Sequence, residues 1–82
     1  MKQNKREKRD KEIFLYKTGL ESSQKHTLFE TALHYNLSVN QIFLNCRKFQ
    51  KKIIQTAQVE GIIPTAQKYG LSTGIVERLL YP

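Results

Sequence analysis

The sequence predicts an all-α protein, a small bundle of about five helices arranged as two similar units around a long central helix. Three observations lead to this prediction. A seven-residue pattern occurs twice, 34 positions apart. Apolar residues recur every three or four positions through residues 39–57, and neither glycine nor proline interrupts the chain there before Gly61. The alternation of apolar and polar residues that is typical of a half-buried strand is absent.

Each copy of the repeated pattern predicts a helix end, a sharp turn and a new helix start. The copies are ALHYNLS at residues 32–38 and AQKYGLS at residues 66–72. Asn36 and Gly70 occupy the same position, and both residue types tolerate the positive φ at which many helices end. The serine two positions later, Ser38 or Ser72, is a favoured N-cap for the helix that follows.

The first half of the chain predicts two helices separated by a glycine. The first runs over about residues 10–18 and ends at Gly19. Ser22 or Ser23 is expected to cap a second, longer helix that continues to Tyr35. The apolar residues of this second helix are Leu28, Phe29, Ala32, Leu33 and Tyr35.

A long central helix is predicted from Val39 to about Glu60. Ser38 and Gln41 have the spacing of a capping box, which fixes the start of this helix. Its apolar residues keep to one helical face. They are Val39, Ile42, Phe43, Cys46, Phe49, Ile53 and Ala57.

Two short helices complete the prediction. Pro64 suits the first position of a helix that ends at Tyr69, and a last helix covers about residues 73–80. The charged residues 1–11 are expected to form a basic flexible arm, either disordered or a frayed helix. The rest of the chain, 12–82, is expected to be a single helical domain. Its units are 12–49 and 50–82, here called the first and the second unit.

Charge and composition favour an anionic partner. The chain has 14 Lys and Arg against seven Asp and Glu, a formal net charge of +7, which favours nucleic acid before an acidic membrane surface. Its 82 residues, 39% of them hydrophobic, suffice for a helical bundle but not for a large enzyme pocket. Cys46 is the only cysteine, and no apolar run approaches a membrane span. These features predict a cytoplasmic protein that does not enter a membrane.

The repeated segments resemble the helix-turn-helix of DNA-binding regulators, particularly the tri-helical kind of transposases and sigma-factor-like domains. The second copy carries the resemblance best, through Ala66, Gly70, Leu71, Val76 and Leu79. The first copy departs from the pattern at Asn36, which replaces the glycine, and at Asn45, which replaces a buried aliphatic residue. The resemblance covers roughly residues 12–81. It implies helix-turn-helix-like units and sequence-specific binding of double-stranded DNA, in transcription regulation or mobile-element maintenance in a bacterium or phage.

The resemblance also implies which residues contact DNA. The outward side of the last helix would enter the major groove. The expected base contacts are Ser72, Thr73, Gly74, Glu77 and Arg78, with Asn40 and Gln41 from the first unit. The expected phosphate contacts are Lys5, Arg6, Lys8, Arg9, Arg47, Lys48, Lys51, Lys52 and Lys68. Arg47, Lys48, Lys51 and Lys52, here called the basic strip, are four cations within six residues and contain no acid between them.

A protein partner is the alternative to DNA. In the first unit the outward positions hold Val39, Phe43 and Leu44, which are poor groove readers and are therefore predicted to form a partner or dimer face. The alternative function is a small helical adapter that binds a protein such as RNA polymerase or another regulator. RNA binding ranks third, because the aromatic sheet and GXXG loop of RNA-binding modules are absent. An ordinary solvated helix face is the competing interpretation of the last helix and of the basic strip, and DNA contact is favoured over it.

No catalytic set can be assembled from the sequence. His26 and His34 lie eight positions apart without a further ligand at suitable spacing, so a metal site is not expected. Cys46 lies on the apolar face of the central helix and is expected in the core. The sequence therefore predicts a protein that is not an enzyme, with no cofactor and no small-molecule substrate.

Overall fold

The computed structural model describes residues 5–82, and the side chains from Glu7 onward. Its elements are α1 (Lys5–Thr18), α2 (Leu28–Tyr35), α3 (Val39–Glu60), α4 (Ile62–Tyr69) and α5 (Thr73–Leu80). No strand occurs between residues 5 and 82. The predicted fold class is confirmed: a small all-α bundle of five helices, in which α3 belongs to both helix-turn-helix-like units.

The turns of the two units have nearly the same backbone. Asn36 has φ 55° and ψ 47°, and Gly70 has φ 65° and ψ 38°, both in the left-handed region. The serine caps agree as closely, with φ −75° at Ser38 and −74° at Ser72. The amide of the leucine inside each turn donates to the carbonyl of the repeat alanine, at 3.0 Å in the first unit and 2.9 Å in the second. The matched sequence therefore produces a matched helix connection.

The start of α2 differs from the prediction. Thr27, not Ser22 or Ser23, caps this helix, because Thr27 and Glu30 form a reciprocal capping box. Ser23 has φ 65°, which is far from the extended backbone of an N-cap. The helix is consequently no longer than its counterpart, since α2 and α4 each contain eight residues.

The corrected helix start extends the repeat by one residue pair. Thr31 and Thr65 are 34 positions apart and are both fully buried. Each hydroxyl donates to the carbonyl four residues earlier, at Thr27 (2.8 Å) and Gly61 (2.7 Å). This hydrogen bond satisfies a hydroxyl that burial would otherwise leave unpaired, so a small polar residue fits the packed side of both helices.

The start of α1 also differs from the prediction. Helix begins at Lys5, so residues 5–11 of the expected flexible arm are helical, while residues 1–4 lie outside the described residues. Glu7 and Lys11 stand one turn apart, a spacing that supports helix formation. Lys11 Nζ also lies 3.5 Å from the carbonyl oxygen of Gly70, where the end of α4 favours a cation.

The start of α4 lies earlier in the chain than predicted. This helix begins at Ile62, so Pro64 occupies its third position and not its first. Proline is still accommodated there, because the amides of the first helical turn have no partner within the helix. The ends of α4 and α5 and both bounds of α3 agree with the prediction.

The core consists of two clusters that α1 connects. The larger cluster joins α3, α4 and α5 and includes Phe14 of α1. The smaller cluster consists of Ile13, Ala32 and Ile42. Since Ile13 and Phe14 are neighbours that point into different clusters, α1 holds both units in one structure.

Candidate nucleic-acid interface

The outward face of α5 carries the residues that the resemblance assigns to base contact. Ile75, Val76 and Leu79 are buried and fix the rotation of this helix. The remaining positions therefore point to solvent. Thr73, Gly74, Glu77 and Arg78 are all exposed, and Tyr81 follows them at the chain end.

Arg78 is the most available hydrogen-bond donor on this face. It is exposed, and within residues 7–82 no side chain pairs with its guanidinium. A guanidinium presents five N–H donors in a planar fork, which suits both a guanine edge and a phosphate. Ser72 is less available for a DNA contact, because its hydroxyl caps α5 by accepting a hydrogen bond from the backbone N–H of Ile75 at 3.2 Å.

The first-unit positions assigned to base contact are only partly available. Asn40 is exposed near the start of α3. Gln41 is exposed as well, but its Oε1 accepts a hydrogen bond from the backbone N–H of Ser38 at 2.9 Å. In return, the Ser38 hydroxyl accepts a hydrogen bond from the backbone N–H of Gln41 at 3.1 Å. The side-chain oxygen of Gln41 thus serves the helix cap, and only its NH2 group is left to donate.

All four side chains of the basic strip are exposed, but α1 places acids beside them. Lys52 Nζ lies 3.9 Å from Glu7 Oε1. Glu7 and Asp10 line a cleft of about 480 Å³ together with Lys48, Lys51 and Lys52. Although the strip has no acid within its own segment, the fold thus partly compensates its charge. Sequence spacing alone could not reveal this, because these acids lie about 40 residues upstream.

The basic strip points away from α5. Lys51 is two residues from both Phe49 and Ile53, which is about 200° around the helix axis. Phe49 and Ile53 are buried in the cluster that contains α5. The strip and the outward face of α5 are therefore two separate surfaces of the molecule.

The other predicted phosphate contacts lie on α1 and α4. Lys8 and Arg9 are exposed, whereas the side chains of Lys5 and Arg6 lie outside the described residues. Lys68 is exposed, and its Nζ lies 3.7 Å from Glu60 Oε2. A surface pair of this kind is weak and can be exchanged for a phosphate contact.

The first unit exposes apolar side chains at the positions predicted as a partner or dimer face. Val39 is 41% exposed, Phe43 47% and Leu44 45%. Val39 and Phe43 share the apolar face of the central helix with Ile42, but unlike Ile42 they are not buried. Phe29 and Leu33, which belong to the apolar residues of α2, are 64% and 69% exposed and lie in the same unit.

A comparison of the two copies identifies most of this apolar surface from the sequence. The position of Leu33 is Gln67 in the second unit, and the position of Phe43 is Glu77. Positions that are polar in one copy and apolar in the other cannot belong to a common core. This difference between the copies marks Leu33, which the periodicity of α2 alone does not distinguish, but it does not mark Phe29, because the counterpart Ile63 is also apolar.

The histidines have structural roles. Tyr16 is stacked against His26 and His34, with ring centroids 3.8 and 4.4 Å away and interplanar angles of 8° and 16°. His26 Nδ1 also lies 2.8 Å from the carbonyl oxygen of Tyr16, which can only accept, so Nδ1 carries a proton. This stack attaches the loop after α1 to α2. Among the described residues, no three His, Cys, Asp or Glu side chains are grouped as a metal site would require.

Comparisons with known proteins identify no relative. No family model matches the chain, and no curated protein or solved structure is detectably similar to it. In the part of the chain that the structure describes, no helix is long and apolar enough to cross a membrane.

Proposed function

We propose that this protein binds double-stranded DNA and that α5 reads base edges in the major groove. The observation that supports this most directly is the outward face of α5, where Arg78, Glu77 and Thr73 are exposed on a helix fixed by buried neighbours. Arginine can bond guanine, glutamate can accept from cytosine, and threonine can reach a phosphate or a base.

Phosphate contacts supply most of the affinity in this proposal. The chain carries a net charge of +7, and the basic strip adds a cationic surface outside α5. Because the strip and α5 face different directions, the strip would contact a neighbouring part of the duplex backbone, or a second duplex segment. Transcription regulation or the maintenance of a mobile element is the proposed setting, and it depends on the family resemblance alone.

The test is a titration of the protein with random duplex DNA, hairpin RNA and single-stranded DNA at several salt concentrations. If about four to six phosphates are neutralised, the slope of log affinity against log salt for the duplex should lie near −4 to −5. A flat salt response, or equal preference for all three nucleic acids, would contradict duplex binding through these surfaces.

A variant pair then tests the reading helix. In a selected binding site, Arg78→Ala should weaken specific binding by about 1–3 kcal/mol and relax the preference at one base position. Lys25→Ala is the charge-matched control, because Lys25 is exposed on the loop before α2 and is not among the residues assigned to DNA contact. Equal losses in the two variants would show that Arg78 acts only through its charge.

The alternative is a small adapter that binds RNA polymerase or another regulator. The exposed Phe43 and Leu44 favour it, because apolar side chains on an outward helix face are suited to a protein surface. Under this alternative, duplex affinity stays at the background level and Arg78→Ala has no effect.

A further inference from the structure

The first unit has an apolar face of five residues, of which the second unit keeps only one as apolar, Ile63 at the position of Phe29. Phe29 and Leu33 are one turn apart on α2, and Val39 and Phe43 are one turn apart on α3, with Leu44 beside them. The turn at residues 36–38 joins the two helices at this place. All five side chains are between 41% and 69% exposed.

A shallow cavity borders this face at Phe43. It measures about 210 Å³ and lies between α1, α2 and α3, with Leu28, Phe43 and Cys46 among its lining residues. A cavity of roughly 150 Å³ is enough to accept a benzene ring. The first unit thus exposes a protruding ring, Phe29, and has, at the Phe43 edge of the face, a recess large enough for a ring, which the polar side chains of Lys17, Thr18, Arg47 and Gln50 also line.

We propose that the first-unit face binds the same face of a second copy of this chain, forming a twofold-symmetric dimer. A twofold interface requires a self-complementary surface, and a protruding ring beside a recess for a ring has that property. The five apolar side chains together expose roughly 500 Å² per copy, at the upper end of the largest apolar patches on monomers. Two such faces reach the roughly 1,000 Å² that a specific interface needs.

The charges around the face are compatible with self-association. Glu30 follows Phe29 on α2, and Arg47 lies one turn beyond Phe43 on α3, and both are exposed. If α2 of one copy lies on α3 of the other, Glu30 and Arg47 of the second copy are opposite charges on facing helices, with Glu30 Oε1 still accepting the Thr27 amide proton of its own copy. An interface formed in this way leaves α5 outside, so each dimer presents two such helices.

The second unit provides the variant that tests the dimer. Leu33→Gln, Val39→Thr, Phe43→Glu and Leu44→Arg together give the first unit the residues that the second unit has at its equivalent positions. This copy-swap variant is expected to fold, because the second unit already packs with those residues on its surface. The single change Leu33→Gln, at a side chain 69% exposed, gives a second variant that preserves the core.

The measurement is sedimentation velocity without nucleic acid, so its result does not depend on the proposed DNA binding. Over about 1–300 µM, the range in which weak dimers form, the unmodified chain should change from monomer to dimer. The copy-swap variant should remain monomeric, and Leu33→Gln should raise the dimer Kd by at least about tenfold. Circular dichroism checks that each variant retains its helices.

A matched pair controls for the loss of any exposed apolar side chain. Phe29 and Ile63 occupy equivalent positions and are 64% and 63% exposed. Phe29→Ser should weaken the dimer, and Ile63→Ser should not. The proposal is overturned if the unmodified chain is monomeric throughout the range. It is also overturned if the folded copy-swap variant dimerises equally well, or if Ile63→Ser has the effect expected of Phe29→Ser.

Discussion

At the scale of single residues, Gly70 and Gly74 should respond in opposite ways to an added side chain. Gly70 has φ +65°, where a β-branched residue is strained, so Gly70→Val should lower the free energy of unfolding by about 1–3 kcal/mol. The strain comes from the backbone, because the nearest atom to an added Cβ is the flexible end of Lys11, at 3.0 Å.

Gly74→Ala is the control for this prediction. Gly74 lies within α5, and an added Cβ would meet nothing closer than the Ser72 hydroxyl at 3.9 Å. Alanine should therefore stabilise the helix by up to about 1 kcal/mol. Urea unfolding of both variants measures the two changes, and a stable Gly70→Val protein would contradict the role assigned to the turn.

The thiol of Cys46 should react slowly. Cys46 is half-buried, and burial raises its thiol pKa above the usual value, an effect that Asp10 adds to and Lys17 opposes. Since only the thiolate is nucleophilic, the folded protein at pH 8 should react with a thiol reagent several-fold more slowly than free cysteine. Urea should restore the free rate. An unchanged rate in the folded protein would show that Cys46 is more accessible than the fold indicates.

The raised pKa of the Cys46 thiol makes the stability of the fold depend on pH. The folded state retains the Cys46 proton to higher pH than the unfolded state, so this group's contribution to stability is present below the unfolded-state pKa and declines as the pH rises above it. Replacing Cys46 by serine should reduce the alkaline loss of stability, as measured by urea unfolding at pH 7 and pH 10.

At the scale of the helices, sequence patterns predicted ends better than starts. Few residue types tolerate the positive φ found at Asn36 and Gly70, so the ends of α2 and α4 could be predicted from the sequence. Starts depend on side-chain caps that several nearby residues can provide. Two serines precede α2, yet Thr27 is its cap, because the Glu30 side chain accepts a hydrogen bond from the Thr27 backbone while the Thr27 side chain accepts one from the Glu30 backbone.

The first half of α1 provides a test at this scale. Arg9 is exposed within α1, in a segment that was expected to be flexible. Arg9→Gly and Arg9→Ala remove the same charge but differ in helix propensity. If the helix begins at Lys5, the glycine variant should be less stable by about 0.5–1 kcal/mol, as measured by urea unfolding. Equal stability of the two variants would show that this segment is not helical in solution.

At the scale of the whole molecule, the unpredicted features are contacts between distant segments. Helical periodicity assigns a residue to a face, but it does not say which helix covers that face. The proximity of Glu7 to Lys52 and the exposure of Phe29 both arise from how α1 and α2 pack on α3. The candidate DNA-contact residues could be chosen from the repeat, whereas the separation of the basic strip from α5 required the fold.

The two units should unfold together, because Phe14 couples them. Phe14 is 1% exposed and packs on Phe49, with ring centroids 5.3 Å apart, while its neighbour Ile13 is buried in the first-unit cluster. Truncating a buried phenylalanine costs about 3–5 kcal/mol, a large share of the stability of a small domain. Phe14→Ala should therefore destabilise both units in one transition. Amide hydrogen exchange measures this by following Ile42 for the first unit and Val76 for the second.

Phe29→Ala, the same truncation at an exposed ring, should leave both exchange rates nearly unchanged at low protein concentration. If Phe14→Ala accelerates exchange at Val76 and leaves Ile42 protected, the units are independent and α1 does not couple them.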